Sequence, residues 1–125
     1  MASGMSSTER RAAPRAVEQI PLAITESGVV LSAQTKNLSA SGAYCTLERY
    51  VAPMTKVQLQ FELPDKSRRV KICCAGVVVR IDPLVVNAER SLYQLAIFFT
   101  DLADRDRSVI VRFVQHRLAV APSTN

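Results

Sequence analysis

The segment Lys56–Leu63, which reads Lys-Val-Gln-Leu-Gln-Phe-Glu-Leu, decides the fold because polar and apolar residues alternate along its whole length. Successive side chains of a β-strand point to opposite faces, so this pattern predicts an antiparallel strand with one buried and one solvated face. A turn signal follows at Pro64–Ser67, and Arg68–Ile81 is predicted to be the next, longer strand. The centre of the chain is therefore predicted to be a β-hairpin.

Further segments of strand composition lie on both sides of this hairpin, separated by turn signals and not by helices. The predicted strands are Ala16–Thr25, Val29–Lys36, Ala43–Leu47 and Ser91–Phe99. The turn signal Glu26–Gly28 joins the first two, and Asp82–Arg90 is predicted to be a loop. Pro21 interrupts the first strand, which suits an edge or a bulge better than a central strand. Strands at this density indicate a barrel or a sandwich.

The periodicity becomes helical near the C-terminus. Thr100 or Asp101 can cap a helix, and acidic residues at its start and basic residues at its end suit the helix dipole. Apolar residues follow helical spacing and are predicted to pack on the β-structure; this stripe is Leu102, Val109, Ile110, Phe113 and Val114, continued by Arg117. A dimer or partner surface is the alternative for the stripe. His116 is predicted to be an exposed residue at the helix end.

Length and composition predict one globular domain. The chain has 125 residues, of which 48% are hydrophobic and 22% charged, enough for a core without disulfides or metals. We predict a disordered tail at 1–9, a domain at 10–118 and a short tail at 119–125. Ile72–Val79, the longest uncharged apolar run, is far shorter than the ~20 residues of a membrane helix, and Met1–Thr8 lacks an apolar signal-peptide core. These features predict a cytoplasmic protein without membrane insertion.

Residues for catalysis or metal binding are scarce. The three cysteines, Cys45, Cys73 and Cys74, have no metal-ligand spacing with the single histidine, His116. We interpret them as small, reduced, buried or half-buried residues. Without a nucleophile triad, a metal cluster or a useful carboxylate pair, the sequence argues against an enzyme and predicts no cofactor.

Two polar motifs are predicted to meet. The first is Arg11-Ala-Ala-Pro-Arg15, with Arg10 before it, and the second is Asn37-Leu-Ser-Ala-Ser-Gly42. In the first predicted hairpin, paired residue numbers should sum to roughly 53 to 55, which places Arg15 near the second motif. Guanidinium groups of arginine beside a turn rich in hydroxyl groups and glycine are typical of an anion or nucleotide site. Alone, the arginines would fit a solvated basic tail and the second motif an ordinary turn.

The two motifs in this order resemble the signature of the PilZ domain, RxxxR followed by (D/N)xSxxG, found in bacterial receptors for cyclic di-GMP. The resemblance covers about residues 9 to 118 of the sequence. It implies a mainly β protein, a six-stranded antiparallel β-barrel with a C-terminal α-helix and a flexible N-terminal arm. One position departs from the family pattern, because Ala96 stands where the last strand usually has a glycine.

The resemblance also implies a cyclic di-GMP site formed by Arg10, Arg11, Arg15, Asn37, Ser39 and Gly42. The arginine pair of RxxxR should hold a guanine edge and a phosphate, with the preceding arginine as a supplementary contact. Asn37 should contact a guanine or fix the turn, and Ser39 should give its hydroxyl to the ligand or to the turn backbone. Gly42 should adopt a positive φ or allow close approach of the nucleotide.

Three classes of function are compared. The first is a cyclic di-GMP receptor that orders its arginine arm on binding and signals through an unidentified protein partner. The alternative is a PilZ-like interaction module that does not bind nucleotide. The third, a basic barrel that binds nucleic acid, fits the net charge of +5 but lacks interleaved aromatic and basic residues for base stacking. The downstream pathway, the number of ligands and the choice between monomer and homodimer are left open.

Overall fold

A computed structural model describes residues 19–120 as a closed barrel of six antiparallel strands followed by one helix. Around the barrel the strands follow the order β1-β2-β3-β6-β5-β4, and β4 closes it against β1. The elements are β1 (Pro21–Glu26), β2 (Val29–Leu38), β3 (Gly42–Leu47), β4 (Lys56–Asp65), β5 (Arg68–Val86), β6 (Ser91–Asp101) and α1 (Asp104–Val120). The predicted fold class is confirmed.

The β4–β5 hairpin follows the alternation of its sequence. From Lys56 to Leu63 the apolar side chains of β4 enter the core and the polar ones face solvent, and Asp65 pairs with Arg68 beside the turn. Lys66, in that turn, has a φ of 60°, the left-handed backbone that a tight two-residue hairpin needs. The prediction from Lys56–Leu63 is therefore confirmed.

The β1–β2 hairpin has the register expected from the sequence. Its partner numbers sum to 55 throughout, from Pro21 opposite Gln34 to Glu26 opposite Val29. Ser27 and Gly28 form the turn with φ values of 50° and 82°. The first strand is shorter than predicted, because it begins at Pro21, whose missing N–H suits a strand start. Residues 16–18 of the predicted strand lie outside the described residues.

The predicted loop Asp82–Arg90 is wrong over its first half. β5 continues to Val86 and pairs with β6 as far as Ser91. Pro83 lies where the strand register shifts, and such an irregularity tolerates a residue without an N–H. The turn itself is short, and the side chain of Asn87 accepts hydrogen bonds from the amides of Glu89 and Arg90, both at 2.9 Å.

Helix α1 covers one end of the barrel with its apolar stripe. Val109, Ile110, Phe113 and Val114 are buried in the same core as the inward-facing strand residues. The stripe therefore serves the core, as the first of the two interpretations predicted. The predicted cap at Thr100 or Asp101 is wrong, because β6 runs to Asp101 and the helix begins at Asp104. His116 is exposed, as predicted.

The cysteines divide between the two faces of their strands. Cys45 and Cys74 are buried, as predicted, whereas Cys73 is exposed, so its assignment as a buried or half-buried residue is wrong. The reason is the alternation of β5, in which neighbours must point to opposite faces. Burial raises the pKa of the Cys45 thiol to about 12 and that of the Cys74 thiol to about 11.

Candidate functional site

The second polar motif forms the end of β2, the β2–β3 turn and the start of β3. A register shift in β2 places Asn37 directly opposite Tyr44. Regular alternation would place a single outward-facing residue between the buried Thr35 and Leu38. The strand has two residues there, Lys36 and Asn37, and therefore carries one extra residue. This bulge turns the Asn37 side chain to the outer face of the barrel, where it is half-buried.

Ser39 holds the turn together from inside. Its side chain is fully buried, and its hydroxyl accepts a hydrogen bond from the amide of Ser41 at 3.2 Å. The same hydroxyl lies 3.0 Å from the Ser41 hydroxyl and donates to the carbonyl of Gly42 at 3.4 Å. The Ser39 amide also donates to that carbonyl at 2.9 Å. Ser39 was expected to give its hydroxyl either to the ligand or to the turn backbone, and these contacts correspond to the second role.

Gly42 serves close packing between strands. The prediction of a positive φ is wrong, since Gly28 is the glycine with that backbone among the described residues. A Cβ on Gly42 would overlap the carbonyl oxygen of Ile97 and lie 3.2 Å from its carbonyl carbon. A glycine at this position therefore lets β3 lie tightly against β6. Close approach of a nucleotide stays a prediction.

The turn is also fixed by neighbouring elements. The Ser41 carbonyl accepts a hydrogen bond from the amide of Phe99 in β6 at 2.9 Å. The Ala40 carbonyl accepts one from Nη1 of Arg107 in the first turns of α1, at 3.3 Å. Hydrogen bonds thus connect the turn both to β6 and to the first turn of the helix.

A shallow depression lies on the outer face beside Tyr44, the strand partner of Asn37. It has a volume of about 110 Å³ and is lined by Tyr44, Arg80, Asp82, Gln94 and Ala96. The guanidinium Nε of Arg80 donates to Oδ2 of Asp82 at 2.8 Å along one wall. Sequence reasoning missed Tyr44, Arg80 and Asp82 because it assigned Asp82 to a loop and no motif marked the other two. The available signal was Ala96, the small residue at the centre.

The largest cavity among the described residues lies elsewhere, between the β4–β5 turn and the end of α1. It measures about 620 Å³, and Lys66, Arg112, His116 and Arg117 contribute to its lining. Asp65 occupies it as well, and Arg112 binds both carboxylate oxygens at 3.1 and 2.9 Å. None of Asn37, Ser39 and Gly42 lines this cavity, so we assign the candidate site to the outer face around these motif residues and not to the larger cavity.

The remaining predicted ligand residues, Arg10, Arg11 and Arg15, lie outside the described residues. Between residues 19 and 120, no group of three or more His, Cys, Asp and Glu side chains is placed to hold a metal ion. The helix described here is neither long nor apolar enough to span a membrane.

The sequence matches a known domain family, and the fold has counterparts among solved structures. The family model of the PilZ domain matches residues 9–116. The inhibitor of motility MotI/DgrA of Bacillus subtilis is similar in structure, with a TM-score of 0.78 and 18% sequence identity; the match covers 91% of this chain and 54% of MotI/DgrA. This chain thus spans about half the length of that relative.

Two further structures share the fold. The PilZ domain of YcgR from Escherichia coli, solved with c-di-GMP, matches with a TM-score of 0.65 and 13% identity over 89% of this chain and 93% of that one. MrkH of K. pneumonia matches with a TM-score of 0.65 and 14% identity over 87% and 48% of the respective chains. No curated protein matches the sequence closely.

Because the family model covers most of the sequence, this chain belongs to the PilZ domain family.

Proposed function

We propose that this protein is a cyclic di-GMP receptor that acts in the cytoplasm and passes the signal to a protein partner. The observation that carries the proposal is the hydrogen-bonded β2–β3 turn, where Asn37 faces outward, Ser39 bonds to the turn backbone and Gly42 packs against β6. A pre-organised polar surface binds a nucleotide with little loss of its own conformational entropy. The YcgR PilZ domain, which shares this fold, was solved with the same ligand.

In this proposal the N-terminal arginines complete the site. Arg11 and Arg15 hold a guanine edge and a phosphate through their planar guanidinium groups, and Arg10 adds a supplementary contact. Asn37 binds a guanine from the barrel side, and Gly42 leaves room for the ligand to approach the backbone. Support comes from the order of the two motifs in the sequence and from the register of β1 and β2.

Calorimetric titration with cyclic di-GMP tests the proposal directly. We expect saturable binding by the wild-type protein, its loss in Arg15→Ala, and no comparable binding of GTP. Absence of heat and of a thermal shift at high ligand concentration would reject the receptor and favour the interaction module that binds no nucleotide.

The output is proposed to be ordering of the arginine arm on the barrel, which alters the surface offered to the partner. Limited proteolysis with a protease that cleaves after arginine examines this step. We expect saturating cyclic di-GMP to protect the bonds after Arg10 and Arg11, and the Arg15→Ala variant to show no protection. Equal cleavage rates with and without ligand in the wild-type protein would contradict the ordering.

A further inference from the structure

A straight row of outward-facing residues crosses four neighbouring strands beside the motif. Asn37 of β2 lies opposite Tyr44 of β3, Tyr44 lies opposite Ala96 of β6, and Ala96 lies opposite Arg80 of β5. Neighbouring strands are about 4.8 Å apart, so the row extends over about 14 Å of the barrel surface. The motif residue Asn37 marks one end of this row, and Arg80 marks the other.

A β-bulge determines the position of the residue at each end of the row. The shift in β2 brings Asn37 opposite Tyr44, and a second shift between Val78 and Arg80 in β5 brings Arg80 opposite Ala96. Bulges re-aim side chains and are common beside functional sites. Without the second one, the strand alternation from buried Val78 would turn the Arg80 side chain inward.

The centre of the row is low because Ala96 is small. Tyr44 and Arg80 rise on either side of it, and together with Asp82 and Gln94 they enclose the depression. A flat ring can lie over the Ala96 methyl group with one edge toward Arg80. The small side chain of Ala96 leaves this floor open, whereas a larger side chain would fill it.

Arg80 is held in a position to read such a ring. Its Nε donates to Oδ2 of Asp82 at 2.8 Å, which orients the guanidinium group and leaves the Nη groups as the remaining donors. The side chain is 71% exposed and therefore accessible to a ligand. A guanidinium fork donates two parallel hydrogen bonds to O6 and N7 of guanine, whereas adenine offers an amino group in place of O6.

We infer that Arg80, positioned by Asp82, binds the guanine edge at the end of the ligand far from Asn37 and selects guanine over adenine. The inference rests on the proposed cyclic di-GMP receptor and adds a specificity determinant outside the two polar motifs. Ala96 forms the floor beneath that base.

Affinity for cyclic di-GMP and for cyclic di-AMP, measured on the same variants, tests the inference. Arg80→Ala should weaken cyclic di-GMP binding about tenfold or more, the range expected for one bidentate arginine–guanine contact, and should reduce the preference over cyclic di-AMP. Arg80→Lys keeps the charge but lacks the fork, so it should not restore the preference. The matched control is Arg69→Ala, which removes another exposed β5 arginine, paired with Glu62 at 3.2 Å.

A second variant changes Ala96, which forms the floor of the depression. Ala96→Val should weaken binding while the strand accepts a β-branched residue, which circular dichroism and the melting temperature can verify. If the wild-type protein bound cyclic di-GMP and Arg80→Ala bound it equally tightly, this inference alone would be overturned. If Arg80→Lys restored the preference for cyclic di-GMP, the positive charge of Arg80 would be sufficient, and the inference would be overturned as well. No binding by the wild-type protein would overturn the proposed function and this inference with it.

Discussion

At Gly42 the absence of a side chain matters for packing between strands. A Cβ there would overlap the carbonyl oxygen of Ile97, which belongs to the backbone and cannot rotate away. We expect Gly42→Ala to lower the free energy of unfolding by about 1–3 kcal/mol, the usual range for overpacking in a well-packed region. Urea denaturation measures the loss.

Gly28→Asn is the control for this variant. Gly28 has a φ of 82°, no atom lies within 4 Å of the position that a Cβ would occupy, and asparagine tolerates this backbone better than other residues with side chains. It should therefore cost less than Gly42→Ala. If the two variants were equally stable, the contact with Ile97 would not determine the need for glycine.

The three thiols should differ in reactivity at neutral pH. Thiolate is the reactive form, and burial raises the pKa of Cys45 to about 12 and that of Cys74 to about 11. Cys73 is exposed on the outer face. Titration of the native protein with a chromogenic disulfide should therefore show one rapidly reacting thiol, and Cys73→Ser should remove it. Two rapid thiols in the native protein would contradict the assigned burial.

At the scale of elements, Asp65 and Arg112 join the β4–β5 turn to α1. Both carboxylate oxygens accept hydrogen bonds from the guanidinium group, and these bonds hold the pKa of Asp65 below its usual value of about 4. A carboxylate with a lowered pKa contributes stability above its unfolded-state pKa and loses that contribution as the pH falls toward its folded-state pKa. We expect the pair to stabilise the protein at neutral pH and to fail below about pH 4.

Urea denaturation between pH 7 and pH 2 would measure this effect. Asp65→Asn should be less stable than the wild-type protein at pH 7, and the difference should shrink below about pH 4. Glu62→Gln is the matched control, because Glu62 pairs with Arg69 on the surface, where both side chains are about half exposed or more. A constant difference between Asp65→Asn and wild type at every pH would show that the charge of Asp65 does not contribute.

The elements also show what the sequence can and cannot predict. The period of two in Lys56–Leu63 predicted β4 correctly because burial of one face forces that alternation. The bulges at Lys36 and beside Arg80 were not predicted, since each depends on how two strands pair and not on local composition. The extension of β5 past Pro83 was missed for the same reason.

The same limit applies to the candidate site. The turn containing Asn37, Ser39 and Gly42 was predicted as a unit because its residues are close in sequence. Arg80 lies 43 positions from Asn37 in the sequence and reaches the same face through the pairing of β3 with β6 and of β6 with β5, together with a register shift. Such a residue can be recognised only once the pairing of the strands is known.

At the scale of the whole molecule, ligand binding and folding stability are linked. A ligand that binds only the folded state raises the free energy of unfolding by about 2.7 kcal/mol when its concentration is 100 times its dissociation constant. In a domain of about 100 residues each kcal/mol raises the melting temperature by about 4–8 °C. Cyclic di-GMP at that concentration should therefore raise the melting temperature by about 10 °C or more, which differential scanning fluorimetry can measure.

The Arg15→Ala variant separates the binding site from the barrel in this experiment. Among the described residues the core extends from Ile20 to Val114, and we expect removal of this arginine side chain to leave the melting temperature of the free protein close to that of the wild type. The shift caused by cyclic di-GMP should nevertheless be lost, because the proposed guanine and phosphate contacts are lost. A full shift in Arg15→Ala would mean that the ligand binds through the barrel face alone, and the row from Asn37 to Arg80 would then carry the binding without the arm.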